Sequence, residues 1–447
     1  MQVADLQERL AAALAEIERL QRGGKRSATP FSTGKRKTNP KKPGRKKGQG
    51  LFSRRLPPPP ETITAEVAVP PPTGGCPQCG GSLEHVTTET VTRTELPPPP
   101  PPRVTAYHVP VCRCQDCGRT VRGRHPDVAP DQYGATAHRL DPRALATAHW
   151  LHYGLGLPLR KVPAVLFELR GLTVTQGALT QAALRQAAGK LGTAYEELRQ
   201  AVRTRRWTHT DDTGWKVGGE TAFLMGFETA QERVYQIRSQ HRNEEVREVV
   251  PGDYDGTMIT DRGRSYDARA LAGVRQQKCL DHIDRSLVEV LAWIPAPHRE
   301  FGEQLRTWLW EARALWKAHR AGTAERFGAE RDRLQREVTE HLRERETPLH
   351  PANQRLLNEL GRHHDAGNLL RFLFEPEIEP TNNRAERALR PAVIARKVSQ
   401  CSKNAAGAGA FSAFASVIGT LVLRGCRSVV DGLCGVLRTG AVADLPP

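Results

Sequence analysis

Three acidic residues far apart in the chain have types suited to joint chemistry: Asp211, Asp261 and Glu386. Asp211 lies inside a strand-like run, Asp261 closes the run Thr257-Met258-Ile259-Thr260, and Glu386 falls in a helix predicted to begin near Thr381. Carboxylates are hard oxygen ligands for Mg²⁺ or Mn²⁺, which activate an attacking hydroxyl and stabilise a leaving oxygen in phosphoryl transfer. An aspartate at a strand end is equally an ordinary cap or turn residue, and spacing alone does not choose between the two. A second group is soft rather than hard. Four of the nine cysteines form two Cys-x-x-Cys pairs, Cys76 with Cys79 and Cys114 with Cys117, each followed by glycine. Two such knuckles supply the four thiolates of a tetrahedral structural Zn²⁺, the other use of the motif being a redox pair. The 34 residues between the pairs exceed the usual spacing of about 15 to 20. The proline run Pro97 to Pro102 accounts for this as an insertion at a hairpin tip. Cys112 reads as a strand residue beside the second knuckle.

The elements that must position these groups follow from hydrophobic period and turn chemistry. Trp207 to Val217, Thr221 to Phe227 and Arg233 to Arg238 read as strands, separated by Gly218-Gly219-Glu220 and Thr229-Ala230-Gln231-Glu232, the pattern of successive hairpins. A helical stretch from Asn243 to Val250, the strand ending at Asp261, a strand from Arg275 to Cys279 and a helix from Asp281 to about Trp293 come next. Antiparallel strands followed by alternating helices and strands predict an α/β sheet of mixed direction. Between Asp261 and Glu386 lie 124 residues, too many for a loop in a compact core. The Arg, Glu and Leu spacing from His298 to about His364 predicts a helical insertion over about residues 295–380, either touching a partner or serving structure alone.

The charge balance points to the partner. Lys and Arg number 66 against 49 Asp and Glu, a net charge of +17, which favours polyanions such as nucleic acid. Much of the excess sits in residues 23–60, where no acid occurs from Gly24 to Leu56 and twelve bases do, among them Lys41, Lys42, Arg45, Lys46 and Lys47. This composition predicts a disordered arm that engages DNA phosphates or simply solubilises the chain. Before it, Leu6, Leu10, Ala13, Ile17 and Leu20 keep heptad spacing over residues 1–22, a short coiled coil that would pair protomers. The zinc-binding module is expected over residues 61–130 and a helical region over 131–200. In the latter, Asp141-Pro142 caps a first helix and Gln176 to about Leu191 forms a later one, which is either a DNA-binding helix-turn-helix or plain packing. No apolar run of about 18 residues and no signal-peptide core stand out, so a cytoplasmic chain without a membrane span is expected.

Four blocks carry a family likeness: Thr210-Asp211-Asp212-Thr213, Thr260-Asp261 through Tyr266, Cys279-Leu280-Asp281-His282 with Arg285, and Asn382-Asn383-Arg384-Ala385-Glu386-Arg387-Ala388-Leu389-Arg390-Pro391. With Lys42-Pro43-Gly44 in the arm and the paired cysteines in the same order, the chain resembles the IS66 insertion-sequence transposases. That resemblance implies a ribonuclease-H-like catalytic core over residues 201–404 with a helical insertion, followed by a C-terminal segment over 405–447. It also implies a metal site formed by Asp211, Asp261 and Glu386. Asp-Asp-Thr stands where the family usually has Asp-Glu-Thr, and Asp211 is taken as the ligand. The implied activity is metal-dependent cleavage and strand transfer at insertion-sequence ends and target DNA, by a homo-oligomer, with small accessory proteins of the element as possible companions. The rival readings are a zinc-containing DNA-binding regulator without catalysis and an inactive transposase-derived protein. For Cys279 and His282 a packed cysteine and a hydrogen-bonded histidine are expected rather than a second metal half-site.

Overall fold

The computed structural model describes residues 57–71, 73–343 and 350–442. The heptad segment and Lys41, Lys42, Arg45, Lys46 and Lys47 of the basic arm lie outside the described residues. The described residues divide into two units, one running up to Pro100 and the other from Pro101 onward. In the first, the described chain is largely exposed and without strands; its landmarks are a 3₁₀ turn at Pro60–Thr62 and the tight turn at Cys76. In the second, β1 (Val111–Arg113) pairs antiparallel with β2 (Thr120–Arg122), which sets Cys112 in a strand opposite Val121 as expected.

Among the described residues four α-helices precede the main sheet. The Asp141 side chain accepts the Ala144 N–H (2.9 Å) and Pro142 opens α1 (Pro142–His149). This is the favoured use of an acceptor at the cap and proline at the first helical position. Helix α2 (Val162–Arg170) stops at Gly171, whose φ of +62° is the left-handed cap conformation that glycine adopts at least cost. The helix expected from Gln176 to about Leu191 is present, ending three residues early at Ala188, and a further helix follows it. Helix α3 (Gln176–Ala188), capped by Thr175, breaks at Gly189, where φ is −117° and ψ −128°, and α4 (Lys190–Val202) restarts there. Glycine inside a helical pattern weakens it locally.

The sheet has five strands in the order β5-β4-β3-β6-β7. They are β3 (Trp207–Val217), β4 (Glu220–Glu228), β5 (Arg233–Arg238), β6 (Thr257–Thr260) and β7 (Arg275–Lys278). The first three form an antiparallel meander, while β6 and β7 run parallel to β3 and to one another. This is the mixed-direction sheet that the sequence pattern predicts. A short α5 (Asn243–Arg247) links β5 to β6, and α6 (Leu280–Leu291) follows β7. The predicted insertion is three helices, α7 (Glu300–Arg320), α8 (Phe327–Arg343) and α9 (Pro351–Asp365), before α10 (Asn383–Ser399) returns to the sheet. On one face of the sheet Met225, Phe227 and Met258 pack with Leu198 and Val202 of α4. On the other, Ile259 packs with Leu280, Ile283 and Leu287 of α6 and with insertion residues such as Leu305, Val338 and Leu360. Further along that face Trp215 and Leu224 meet Leu389, Ala392 and Ala395 of α10.

Two helices end the described chain, α11 (Ala405–Leu423) and α12 (Val429–Thr439). The expectation that no apolar run reaches membrane-span size is corrected by α11, which is long and apolar enough by length and composition to cross a membrane. Its apolar residues are spent inside the protein, because α11 lies along the outer edge of β5. The Tyr235 N–H donates to Ser416 Oγ (2.8 Å) and the Arg233 N–H to Thr420 Oγ1 (3.0 Å). The hydroxyls thus satisfy an edge strand that would otherwise need another strand.

Candidate active site

The parallel pairing of β3 with β6 brings the first two carboxylates near one another. In the parallel β3–β6 pair Trp207 faces Thr257, Thr208 faces Met258 and His209 faces Ile259. Asp211 follows two residues after that pairing and Asp261 directly after β6, and the Asp261 charge acts on the Asp211 carboxyl. Each carboxylate is oriented by a nearby backbone N–H: Asp211 Oδ1 accepts from Asp212 (2.9 Å) and Asp261 Oδ1 from Gly263 (2.7 Å). A Cβ at 263 would lie 2.9 Å from that same Asp261 oxygen, so a side chain there would displace the carboxylate.

Glu386 arrives from the other side, in the first turn of α10, where the helix dipole favours a negative charge. The start of α10 is anchored by Asn382, which is fully buried. Its Nδ2 donates to the Thr210 carbonyl (2.8 Å), one residue before Asp211, and its backbone N–H donates to Cys279 Sγ (3.1 Å). Burial pushes the His209 imidazole down to about 4, so its neutral Nδ1–H donates to Asn382 Oδ1 (3.1 Å). The Asn382 carbonyl in turn accepts the Glu386 N–H (3.2 Å). One residue, through its side chain and its backbone, therefore fixes β3, the β7–α6 junction and the helix of Glu386 together. Asn383 turns elsewhere, donating to Asp281 Oδ2 (2.9 Å), whose Oδ1 is 2.6 Å from Arg313.

The electrostatics record the convergence. Burial, together with the charges of Asp261, Asp212 and Glu386, raises the Asp211 carboxyl to about 7, against a lowering contribution from the Asp212 N–H. Burial lowers the His241 imidazole, but Asp212, 3.0 Å away, with Asp261 and Asp211, outweighs it and the net shift is upward. His282 is held below its usual range by burial and by Arg285. Its Nε2 is 3.9 Å from Glu386 Oε1 and its Nδ1 is buried without a partner. The expected hydrogen-bonded histidine is thus replaced by one that faces a carboxylate. Arg285 lies 3.7 Å from the same Glu386 oxygen. Cys279 behaves as the packed cysteine expected, fully buried and with its thiol pushed up by burial. The three carboxylates share one electrostatic patch without being clasped. Among the described residues no group of three or more His, Cys, Asp or Glu side chains closes tightly enough to hold an ion.

The cysteine pairs form matching turns. Gly80 donates its N–H to the Cys76 carbonyl (2.8 Å) and Gly118 to that of Cys114 (3.0 Å). Both glycines have positive φ, +75° and +68°. Backbone N–H groups at Gln78 and Cys79 lower the Cys76 thiol, and those at Cys117 and Asp116 lower that of Cys114. Each knuckle therefore favours thiolate at its first cysteine.

The family model described as Transposase IS66 family matches residues 138–410, a span that includes Asp211, Asp261 and Glu386. The chain belongs to this family of transposases. A comparison with curated proteins finds no match. In the transposase several residues near the carboxylates carry no sequence signal of their own. Lys278, fully buried in β7, pairs with Asp267 (2.7 Å) and donates to Gln276 Oε1 (2.8 Å) and Thr260 Oγ1 (3.2 Å). Arg262, next to Asp261, reaches Glu359 of α9 (2.9 Å) and Ser286 of α6. The insertion thereby braces the loop after Asp261. Asn382 did carry a signal, as the first residue of the Asn382 to Pro391 block, and its side chain crosses to β3 instead of capping the helix.

Proposed function

We propose that this transposase cleaves and joins DNA strands through divalent cations held by Asp211, Asp261 and Glu386 in a ribonuclease-H-like core. The observation that carries the reading is the Asp211 carboxyl, raised to about 7 by burial next to Asp261 and Glu386. Gathering like charges in a half-buried place destabilises the empty fold, and a hard cation is what removes that penalty. An all-oxygen donor set from the interior of β3, the end of β6 and the first turn of α10 suits Mg²⁺ or Mn²⁺. The order of an antiparallel meander followed by two parallel strands supports the ribonuclease-H-like reading.

When bound, the cations supply Lewis acidity that activates a hydroxyl and stabilises the leaving oxygen. The protein's own part is positioning. The Asp212 and Gly263 N–H groups each hold one oxygen of Asp211 and Asp261, which leaves the second oxygen of each for a cation. Asn382 keeps Glu386 in register with them. Strand joining needs no covalent protein intermediate, since charge develops on the phosphoryl oxygens. The cysteine knuckles are read as Zn²⁺ ligands, the basic arm as a DNA contact and the heptad segment as the pairing element of a homo-oligomer.

The test is incubation of the full chain with labelled DNA bearing the element's ends, with and without Mg²⁺ or Mn²⁺. Metal-dependent nicking is expected, and Asp261→Asn abolishes it while leaving end binding in place. Cleavage by Asp261→Asn at the normal rate overturns the ligand assignment. A DNA-binding regulator without catalysis shows no nicking with either metal.

A further inference from the structure

Helix α10 carries five cations and a single acid, Glu386, and it sorts the cations by face. Arg384 is paired with Glu379 (3.1 Å), and Arg396 donates to Thr213 Oγ1 (3.1 Å) and the Gly214 carbonyl. Arg387, Arg390 and Lys397 are exposed and make no ion pair among the described residues. At 3.6 residues per turn, Arg390 and Lys397 follow Glu386 along one stripe, with Arg387 and Ile394 beside it. Ile394 and Val398 are 54% and 56% exposed on the same side. At the head of the stripe stands Arg285, 61% exposed and 3.7 Å from Glu386.

We propose that this face of α10 is a phosphate track that leads a DNA strand to Asp211, Asp261 and Glu386. Within the stripe every charge beyond Glu386 is positive, which selects a polyanion. From Arg387 to Lys397 the helix rises about 15 Å, matching about four phosphates at 3.4 Å per nucleotide along a duplex strand. Ile394 and Val398 give the sugars an apolar surface. Two side chains fall far short of the roughly 800 Å² per partner of a stable protein interface, so a second copy of the chain fits poorly. The inference rests on the catalytic reading only for where the strand leads, since phosphate binding itself needs no metal.

The experiment measures equilibrium binding of the full chain to a 30-base-pair duplex of fixed sequence, by fluorescence anisotropy, from about 50 to 200 mM salt without divalent metal. Each phosphate contact contributes about 0.9 to the slope of log K against log salt on duplex and about 0.7 on a single strand. The triple variant Arg387→Gln, Arg390→Gln, Lys397→Gln is expected to flatten the slope by about 2.7 on duplex and about 2.1 on a 30-nucleotide strand. The charge-keeping triple Arg387→Lys, Arg390→Lys, Lys397→Arg is expected to retain it. Should the Gln triple fail to fold, the three single Gln variants each lower the duplex slope by about 0.9. An unchanged slope in folded Gln variants overturns the track, as does a slope unchanged beside altered self-association in sedimentation, which would make the face a contact between copies. A chain that shows the predicted slopes yet never nicks DNA keeps the track and sinks the catalytic reading.

Discussion

Replacing Asp211 by asparagine should make the metal-free transposase more stable while destroying the proposed site. The Asp211 carboxyl moves from an ordinary 3.8 to about 7 on folding, through burial and the charges of Asp261, Asp212 and Glu386. Three units at 1.36 kcal/mol each set an upper bound of about 4 kcal/mol on the cost of ionising it in the folded state. The sign follows from linkage. A carboxyl whose folded value is raised contributes nothing unfavourable below about 4, where it is neutral in both states. Its penalty grows as pH rises and is complete above about 7. The amide introduced by Asp211→Asn never ionises, so the variant's advantage should be near zero at pH 3.5 and reach about 2 to 4 kcal/mol at pH 8. Thermal melting of the chelated protein across that range, read alongside hydrogen exchange of the β3 and β6 amides, measures it. Adding millimolar Mg²⁺ should then raise the wild-type melting point and leave the variant nearly unmoved, because only a native-state ligand adds stability. An Asp211→Asn variant no more stable than wild type at pH 8, or equally favoured at pH 3.5, would refute the account of a repulsive carboxylate patch.

Two further substitutions probe the framework. Asn382→Ala deprives the Thr210 carbonyl and His209 of a buried partner and should cost about 1 to 3 kcal/mol; urea denaturation checks this, and a loss under about 0.5 kcal/mol would deny Asn382 its anchoring role. The same variant should lower metal-dependent nicking further than its lost stability explains, since Glu386 loses its register with Asp211. Ser416→Ala strands the Tyr235 N–H at the covered edge of β5 and should cost a similar amount. Ser416→Thr keeps the hydroxyl and serves as its control; equal stability of the Ala variant and wild type would show that α11 does not satisfy that edge.

The strands and helices were readable because their causes are local. Gly218-Gly219 and the Thr229 to Glu232 turn punctuate the meander within a residue or so of where β3, β4 and β5 end, and Asp141-Pro142 starts α1 where a cap must. The same holds for Asp261 at the close of β6 and Glu386 within a helix. Sequence reading overlooks the apolar run of α11, and since an apolar helix has the same makeup in a protein core as in a lipid bilayer, its place is told by the edge of β5 that bonds Ser416 and Thr420. What sequence spacing could not decide is which distant residues meet. That Asp211 and Asp261 come near one another depends on the parallel pairing of β3 with β6, and that Glu386 joins them depends on Asn382 bridging to Thr210 across 172 positions. His282 faces Glu386 with a bare Nδ1, and Lys278 is buried against Asp267, for the same reason. Periodicity and turn chemistry act over a few residues, whereas the potential at a carboxylate is the sum over everything packed around it. The chain's own order therefore wrote the elements and named the acids, and packing alone turned them into a single charged site.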